Sequence, residues 1–201
     1  MRRIGIMGGT FNPIHIGHLT LAEWAREAAG LDEVWFIPAG LPYMKNSEEV
    51  LEPQERFQMT ELAVRNNPFF RCLDIELKRE GYTYSYETLK QLKDRYPQDE
   101  FFFIAGADCL CSMENWKCVE KLFSSCTVVA AVRDSVRLSE LENKRQYLEQ
   151  RFHGRIMLIP FIGLSVSSTE IRRRREEGRS IRYLVPDDVL NYIEEKGLYH
   201  E

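Results

Sequence analysis

Two histidines, separated only by Ile16 and Gly17, close the segment Gly8-Gly9-Thr10-Phe11-Asn12-Pro13-Ile14-His15-Ile16-Gly17-His18. Its polar groups are mostly hydrogen-bond donors. The glycine pair lets backbone N–H groups approach a bound group closely, Thr10 adds a hydroxyl, and His15 and His18 add imidazoles. Such a set suits a polyphosphate. His18 falls near the start of a helix, where the dipole favours an anion, and Gly17 leaves room for a ligand against the backbone. Neither common phosphate loop is present: the segment lacks Gly-x-Gly-x-x-Gly and lacks Gly-Lys-Ser/Thr. Two plainer readings compete. The glycines could form a simple turn with the histidines capping a helix, or the histidines could pair on zinc, although no third protein ligand is obvious nearby.

A second cluster is Ser167-Ser168-Thr169 followed by Arg172. One hydroxyl suits a helix N-cap, and Ser168 and Arg172 share a face one turn apart. An arginine beside a helix N-terminus is electrostatically unfavourable unless an anion offsets it, so this arrangement also points to phosphate. Arg173, Arg174 and Arg175, with Glu176 and Glu177 after them, read as a solvated face. Asp108 follows Gly106 at a strand end and could accept from a ribose hydroxyl or cap a helix. Lys45 could neutralise phosphate charge or simply face water.

These groups need a frame that brings them to one edge. Arg3 to Met7 reads as a strand, the glycine loop interrupts it, and Leu19, Ala22, Ala25 and Ala29 recur at near-helical spacing up to Gly30. Val34 to Ile37 is a second strand ended by Pro38, and a loop follows to Leu51. Pro53 suits the first position of a helix running to about Asn66, because Pro68 disfavours helical geometry at Asn67. Phe69 to Leu73, Phe101 to Ala105, Cys126 to Val132 and Arg155 to Pro160 read as further strands. Helices are expected from Ser85 to Pro97 and from Leu138 to Phe152. Two more close the chain, from about Ser168 to Glu177 and from about Pro186 to Lys196. Trp116 lies just beyond the loop after the Phe101 strand.

This alternation predicts an α/β fold with a doubly wound, mostly parallel sheet. Its ligands should sit at the carboxyl ends of the strands where the strand order reverses. A chain of 201 residues fits one domain, residues 1–201, with the C-terminal helices (about 167–201) completing the phosphate-binding site. Apolar residues make up 44% and charged residues 29%, as in soluble globular proteins. The net charge of -4 gives no general attraction to nucleic acid. The apolar stretch after Met1-Arg2-Arg3 is too short for a signal peptide and no run approaches membrane-spanning length, so a cytoplasmic location is expected. Cys72, Cys109, Cys111, Cys118 and Cys126 lack framework or zinc spacing and should be reduced. A homo-oligomer is left open.

His15-Ile16-Gly17-His18 is the signature shared by nucleotidylyltransferases and class I aminoacyl-tRNA synthetases, and Gly8 to Pro13 resembles the nucleotidylyltransferase form. A synthetase would need a tRNA-binding region and a Lys-Met-Ser-Lys-Ser type signature. Val166 to Arg172 resembles instead the Ser-Ser-Thr-x-Ile-Arg motif of adenylyltransferases. Pro38 to Lys45, Thr83 to Thr88, Gly106-Ala107-Asp108, Trp116 and the tail from Leu184 to Tyr199 extend a resemblance to the bacterial nicotinate mononucleotide adenylyltransferase family over almost the whole chain.

Two positions depart from that family's pattern. Asn12 stands where Asp is common and keeps a polar side chain to brace the loop. Tyr43-Met44-Lys45 stands where Pro-His-Lys is usual, and Met44 removes a donor beside the phosphates.

The resemblance implies catalytic roles for Thr10, His15, His18 and Arg172, and ATP contacts at Gly8, Gly9, Phe11, Gly17, Gly106, Asp108, Ser167, Ser168 and Thr169. It places the acceptor against Lys45, Thr83, Tyr84 and Trp116, with Trp116 stacked on the pyridine ring in place of ordinary core burial. The implied partners are ATP and nicotinate mononucleotide, with Mg2+ carried on the ATP phosphates and no dedicated metal residues. Nicotinamide mononucleotide or phosphopantetheine are alternative acceptors. A non-catalytic nucleotide-binding module is a further alternative, against which the histidine pair argues, since mere binding needs no transition-state donors.

Overall fold

A computed structural model describes residues 1–42, 50–132 and 138–200. Among them the strands are β1 (Arg3–Gly9), β2 (Glu33–Pro38), β3 (Leu41–Pro42), β4 (Phe70–Cys72), β5 (Tyr82–Thr83), β6 (Glu100–Gly106), β7 (Thr127–Val132) and β8 (Arg155–Pro160). The helices are α1 (Ile16–Ala28), α2 (Pro53–Val64), α3 (Ser85–Arg95), α4 (Ala107–Ser112), α5 (Val119–Ser125), α6 (Leu138–Phe152), α7 (Ser168–Glu176) and α8 (Asp187–Glu195).

Six strands form one sheet in the order β4-β2-β1-β6-β7-β8, and every pairing in it is parallel. The chain builds outward from β1 through β2 to β4, then returns to the other side of β1 and continues outward through β6, β7 and β8. This is the doubly wound α/β arrangement that the strand-helix alternation predicts. The order reverses between β1 and β6, and the crevice beyond their carboxyl ends is where such a sheet takes its ligand.

Alternation along each strand divides the core in two. Phe102, Ile104, Val129 and Ala131 face α1, α2, α7 and α8, burying Leu21, Met59, Ile171 and Ile193. Phe101, Phe103, Val128 and Ala130 face the other way and bury Leu89, Leu122 and Leu148. Both faces being covered explains why these strands read as unbroken apolar runs.

The two strands flanking the crevice are also tied at their starts. Asp99 accepts from the Arg2 backbone N–H at 2.9 Å and from Arg2 Nη2 at 2.6 Å. These hydrogen bonds hold the Asp99 carboxyl below the usual carboxylate range.

Helix α5, between β6 and β7, differs from the sequence expectation, and so do two features nearer the site. The segment after β6 is not a loop: α4 starts at once from Gly106, and the 3-10 turn Met113–Asn115 then delivers Trp116. Leu110 and Met113, three apart and both fully buried, drive that winding. The second is a parallel pair between β3 and β5, each two residues long, which gives no periodic signal to read.

Candidate active site

β1 ends in the donor segment. Phe11 takes a left-handed backbone conformation (φ 48°), which turns its ring inward. The ring is 2% exposed and meets His18 edge-on at 5.1 Å. A Cβ on Gly9 would lie 2.8 Å from this ring, so glycine is what lets the turn close. Phe11 therefore braces His18, and only its backbone is left to meet a nucleotide.

His15 occupies the N-cap of α1 with extended backbone, and His18 lies one turn in. Their rings stack with centroids 3.7 Å apart. The His15 backbone N–H donates to His18 Nδ1 at 3.3 Å, which makes Nδ1 the acceptor and leaves Nε2–H as the donor of the neutral ring. Gly17 serves this geometry more directly than it serves a ligand: a Cβ there would sit 3.1 Å from His15 Cε1 and Nδ1.

The C-terminal third locks the segment. Ser167 caps α7, accepting from the Glu170 N–H at 3.2 Å. Ser168 Oγ donates to the Pro13 carbonyl at 2.9 Å, and Arg172 Nη1 donates to the Asn12 carbonyl at 3.0 Å. The Leu184 carbonyl accepts from the Ile16 N–H at 3.0 Å, and the Tyr199 hydroxyl donates to Asn12 Oδ1 at 2.9 Å. Asn12, 2% exposed, thus braces the loop as its polarity suggests. Arg173 instead pairs with Glu170, and Arg174 donates to the Ser180 carbonyl, both on the surface.

Beneath the loop, the fully buried Arg56 of α2 donates to the carbonyls of Thr10 (2.7 Å), Gly40 (2.7 Å) and Leu51 (2.9 Å). Burial pulls its pKa down from the ordinary value, yet an arginine stays charged. Sequence reasoning missed Arg56 because a single arginine in a helix reads as a surface charge.

Beside the loop lies a cavity of about 330 Å³. Gly8, Gly9 and Thr10 form one edge, Thr83, Tyr84 and Tyr86 another, and Trp116 and Lys117 a third. Trp116 packs edge-on against Phe103 at 5.8 Å. Tyr84, Ser85 and Tyr86, at the start of α3, line this cavity, so the positive end of that helix's dipole lies at its wall. Glu76 also lines the cavity, where burial pushes its carboxyl above the usual range; Thr88 Oγ1 donates to it at 2.6 Å.

The expected residues therefore fall into two groups that meet at Gly8, Gly9 and Thr10. Thr83, Tyr84 and Trp116 line the cavity. His15, His18, Ser168 and Arg172 gather on the other flank of the loop, with Ser167 and Thr169 in the same helix start. Gly106 ends β6 across the crevice, and Asp108 is exposed in the first turn of α4, with Gly106 in the capping place. Lys45 and Met44 lie outside the described residues. No group of three or more His, Cys, Asp or Glu side chains comes together among the described residues.

Residues 6–174 match the family model for cytidylyltransferase-like proteins. A probable nicotinate-nucleotide adenylyltransferase of Desulfitobacterium hafniense (strain Y51) is 44% identical over 201 residues, which cover 98% of this chain and 96% of that one. One of Lachnoclostridium phytofermentans is 42% identical over 199 residues, covering 99% and 100%. The chain belongs to the bacterial nicotinate-nucleotide adenylyltransferase family. Among solved structures, a Plasmodium falciparum nicotinic acid mononucleotide adenylyltransferase complexed with NaAD shares the fold. Its TM-score is 0.80 at 22% identity, over 99% of this chain and 98% of that one. Membership in the nicotinate-nucleotide adenylyltransferase family makes the protein an adenylyl-transfer enzyme. Among the described residues no helix is long and apolar enough to cross a membrane.

Proposed function

We propose that the protein transfers the adenylyl group of ATP to nicotinate mononucleotide, giving nicotinate adenine dinucleotide and pyrophosphate. The observation that carries this reading is the meeting of two half-sites at Gly8 to Thr10: a donor-lined flank for a triphosphate and an aromatic cavity for a flat ring. The acceptor phosphate attacks the α-phosphorus, a new P–O bond forms, and the bond to the β-phosphate oxygen breaks in line. The nucleophile is already ionised, so no general base is required. The protein positions two polyanions and stabilises charge on the transferring oxygens.

His15, His18 and Thr10 hold the reacting phosphates, and Arg172 and the backbone N–H groups at the start of α7, Ser168 among them, meet the β and γ end. Gly106 and Asp108 take the nucleoside side, and Trp116 stacks on the pyridine ring above Thr83 and Tyr84. The loop offers N–H, imidazole, hydroxyl and guanidinium donors, which suit phosphate oxygens and not a cation. Magnesium therefore fits as a companion of ATP, supplying charge neutralisation through phosphate oxygens and water. The chain works as one nucleotidylyltransferase unit whose residues 167–201 complete the ATP side. We place it in the cytoplasm, without a nucleic-acid partner, in keeping with a net charge of -4.

Pyrophosphate release measured with nicotinate mononucleotide, nicotinamide mononucleotide and phosphopantetheine tests the acceptor. The N-terminal N–H groups of α3 donate to a carboxylate, whereas a carboxamide NH2 turns a donor toward donors and leaves one unpaired, at about 1–3 kcal/mol. The nicotinate form should win in kcat/KM. Equal use of the amide would defeat the acceptor assignment and leave adenylyl transfer standing. On the ATP side, Arg172→Ala should weaken ATP binding while AMP binds nearly as before, because only ATP carries the β and γ charge. Calorimetry showing equal losses for both would make Arg172 only a tie to the Asn12 carbonyl.

A further inference from the structure

The acceptor cavity has one full positive charge in its described lining, and it comes from a residue with no role so far. Lys117 follows Trp116 directly, and its Nζ rests 4.1 Å from the centroid of the Tyr84 ring. Among the described residues Lys117 forms no salt bridge. Its side chain is exposed, and the Tyr84 face holds the ammonium at the cavity wall.

Glu76 is the one carboxyl in the described lining; it is 7% exposed, accepts from Thr88 Oγ1 at 2.6 Å, and burial moves its pKa above the usual carboxylate range. The α3 N-terminus adds partial positive charge from the same side as Tyr84. Tyr84 thus sits at the start of that helix and under the ammonium at once, so both sources of positive potential converge on one end of the cavity.

The geometry points to Lys117 as a specificity-determining residue: its ammonium selects an acceptor whose ring bears a carboxylate over one whose ring bears a neutral amide. The inference rests on the acceptor assignment above and adds a side chain to it. An ammonium facing the anionic substituent makes a charge-assisted hydrogen bond that the amide cannot match, and because the group is exposed the gain is screened by salt.

The test uses the full chain, wild type, Lys117→Met and Lys117→Arg, with saturating ATP and magnesium. The readout is the ratio of kcat/KM for nicotinate mononucleotide to that for nicotinamide mononucleotide. Lys117→Met is expected to lower this ratio by about tenfold at low salt, with the difference shrinking as salt rises, and Lys117→Arg to restore most of it. An unchanged ratio in Lys117→Met overturns the inference, as does an equal loss of ratio in Lys117→Arg. A wild-type enzyme that shows no preference for the acid would instead remove the acceptor assignment, so the two failures are distinguishable. Lys117 is exposed, and thermal unfolding of each variant confirms that the fold is intact.

Discussion

Replacing His18 by alanine is expected to lower kcat by about 10²–10³, equivalent to roughly 3–4 kcal/mol of barrier, while ATP affinity changes far less. His18 Nδ1 is occupied by the His15 N–H, which fixes the ring and makes Nε2–H its donor. A donor fixed in this way costs no reorganisation when charge develops on the transferring phosphoryl group. Steady-state turnover and ATP binding measured on the same preparation decide the matter. Unchanged turnover would remove His18 from the chemistry. A large loss of ATP affinity with little change in kcat would make it a binding group only. The stacked ring of His15 and the edge of Phe11 lose a neighbour in this variant, so circular dichroism should accompany the kinetics.

Arg56→Met is expected to destabilise the fold by about 3–5 kcal/mol and to lower the melting temperature by roughly 10 °C. Methionine fills much of the same volume but satisfies none of the three carbonyls at Thr10, Gly40 and Leu51. One of those carbonyls, Thr10, belongs to the wall of the site, so turnover should fall with stability. Thermal unfolding checks the first effect and assays well below the transition check the second. A melting temperature within a degree of wild type would mean that water replaces the guanidinium, and the bracing role would be lost.

The frame was legible because its signals are local. Six apolar runs separated by helical periods yield a parallel sheet, and the position of the donor segment after the first strand yields the crevice. Pro53 opens α2 and Ser167 caps α7 for reasons visible within four residues. The rest depended on distance. Arg56 has three partners in three separate segments, and nothing in Pro53–Val64 distinguishes it from a solvated charge. The short β3 and β5 strands and the winding of α4 follow from tertiary packing and carry no period of their own. Lys117 stood beside a tryptophan already singled out, yet only the ring of Tyr84, 33 positions earlier, shows where its ammonium rests. Phe11 and Gly17 were placed correctly in the segment, but their physical work turned out to be support of the two imidazoles.

The ties on residues 12 to 16 come from residues 168, 172, 184 and 199, with sequence separations of 155 to 187 for the three side-chain bonds. This has a consequence during synthesis. Strands β1, β2 and β4 can pair while the ribosome is still at work, and Arg56 can already hold the Thr10 carbonyl, but the histidine segment lacks its ties to Ser168, Arg172, Leu184 and Tyr199 until those residues have left the exit tunnel. A nascent chain with most of its sheet built is therefore still catalytically silent. Adenylyl transfer begins only when residues 168–199 have folded back onto residues 12–16.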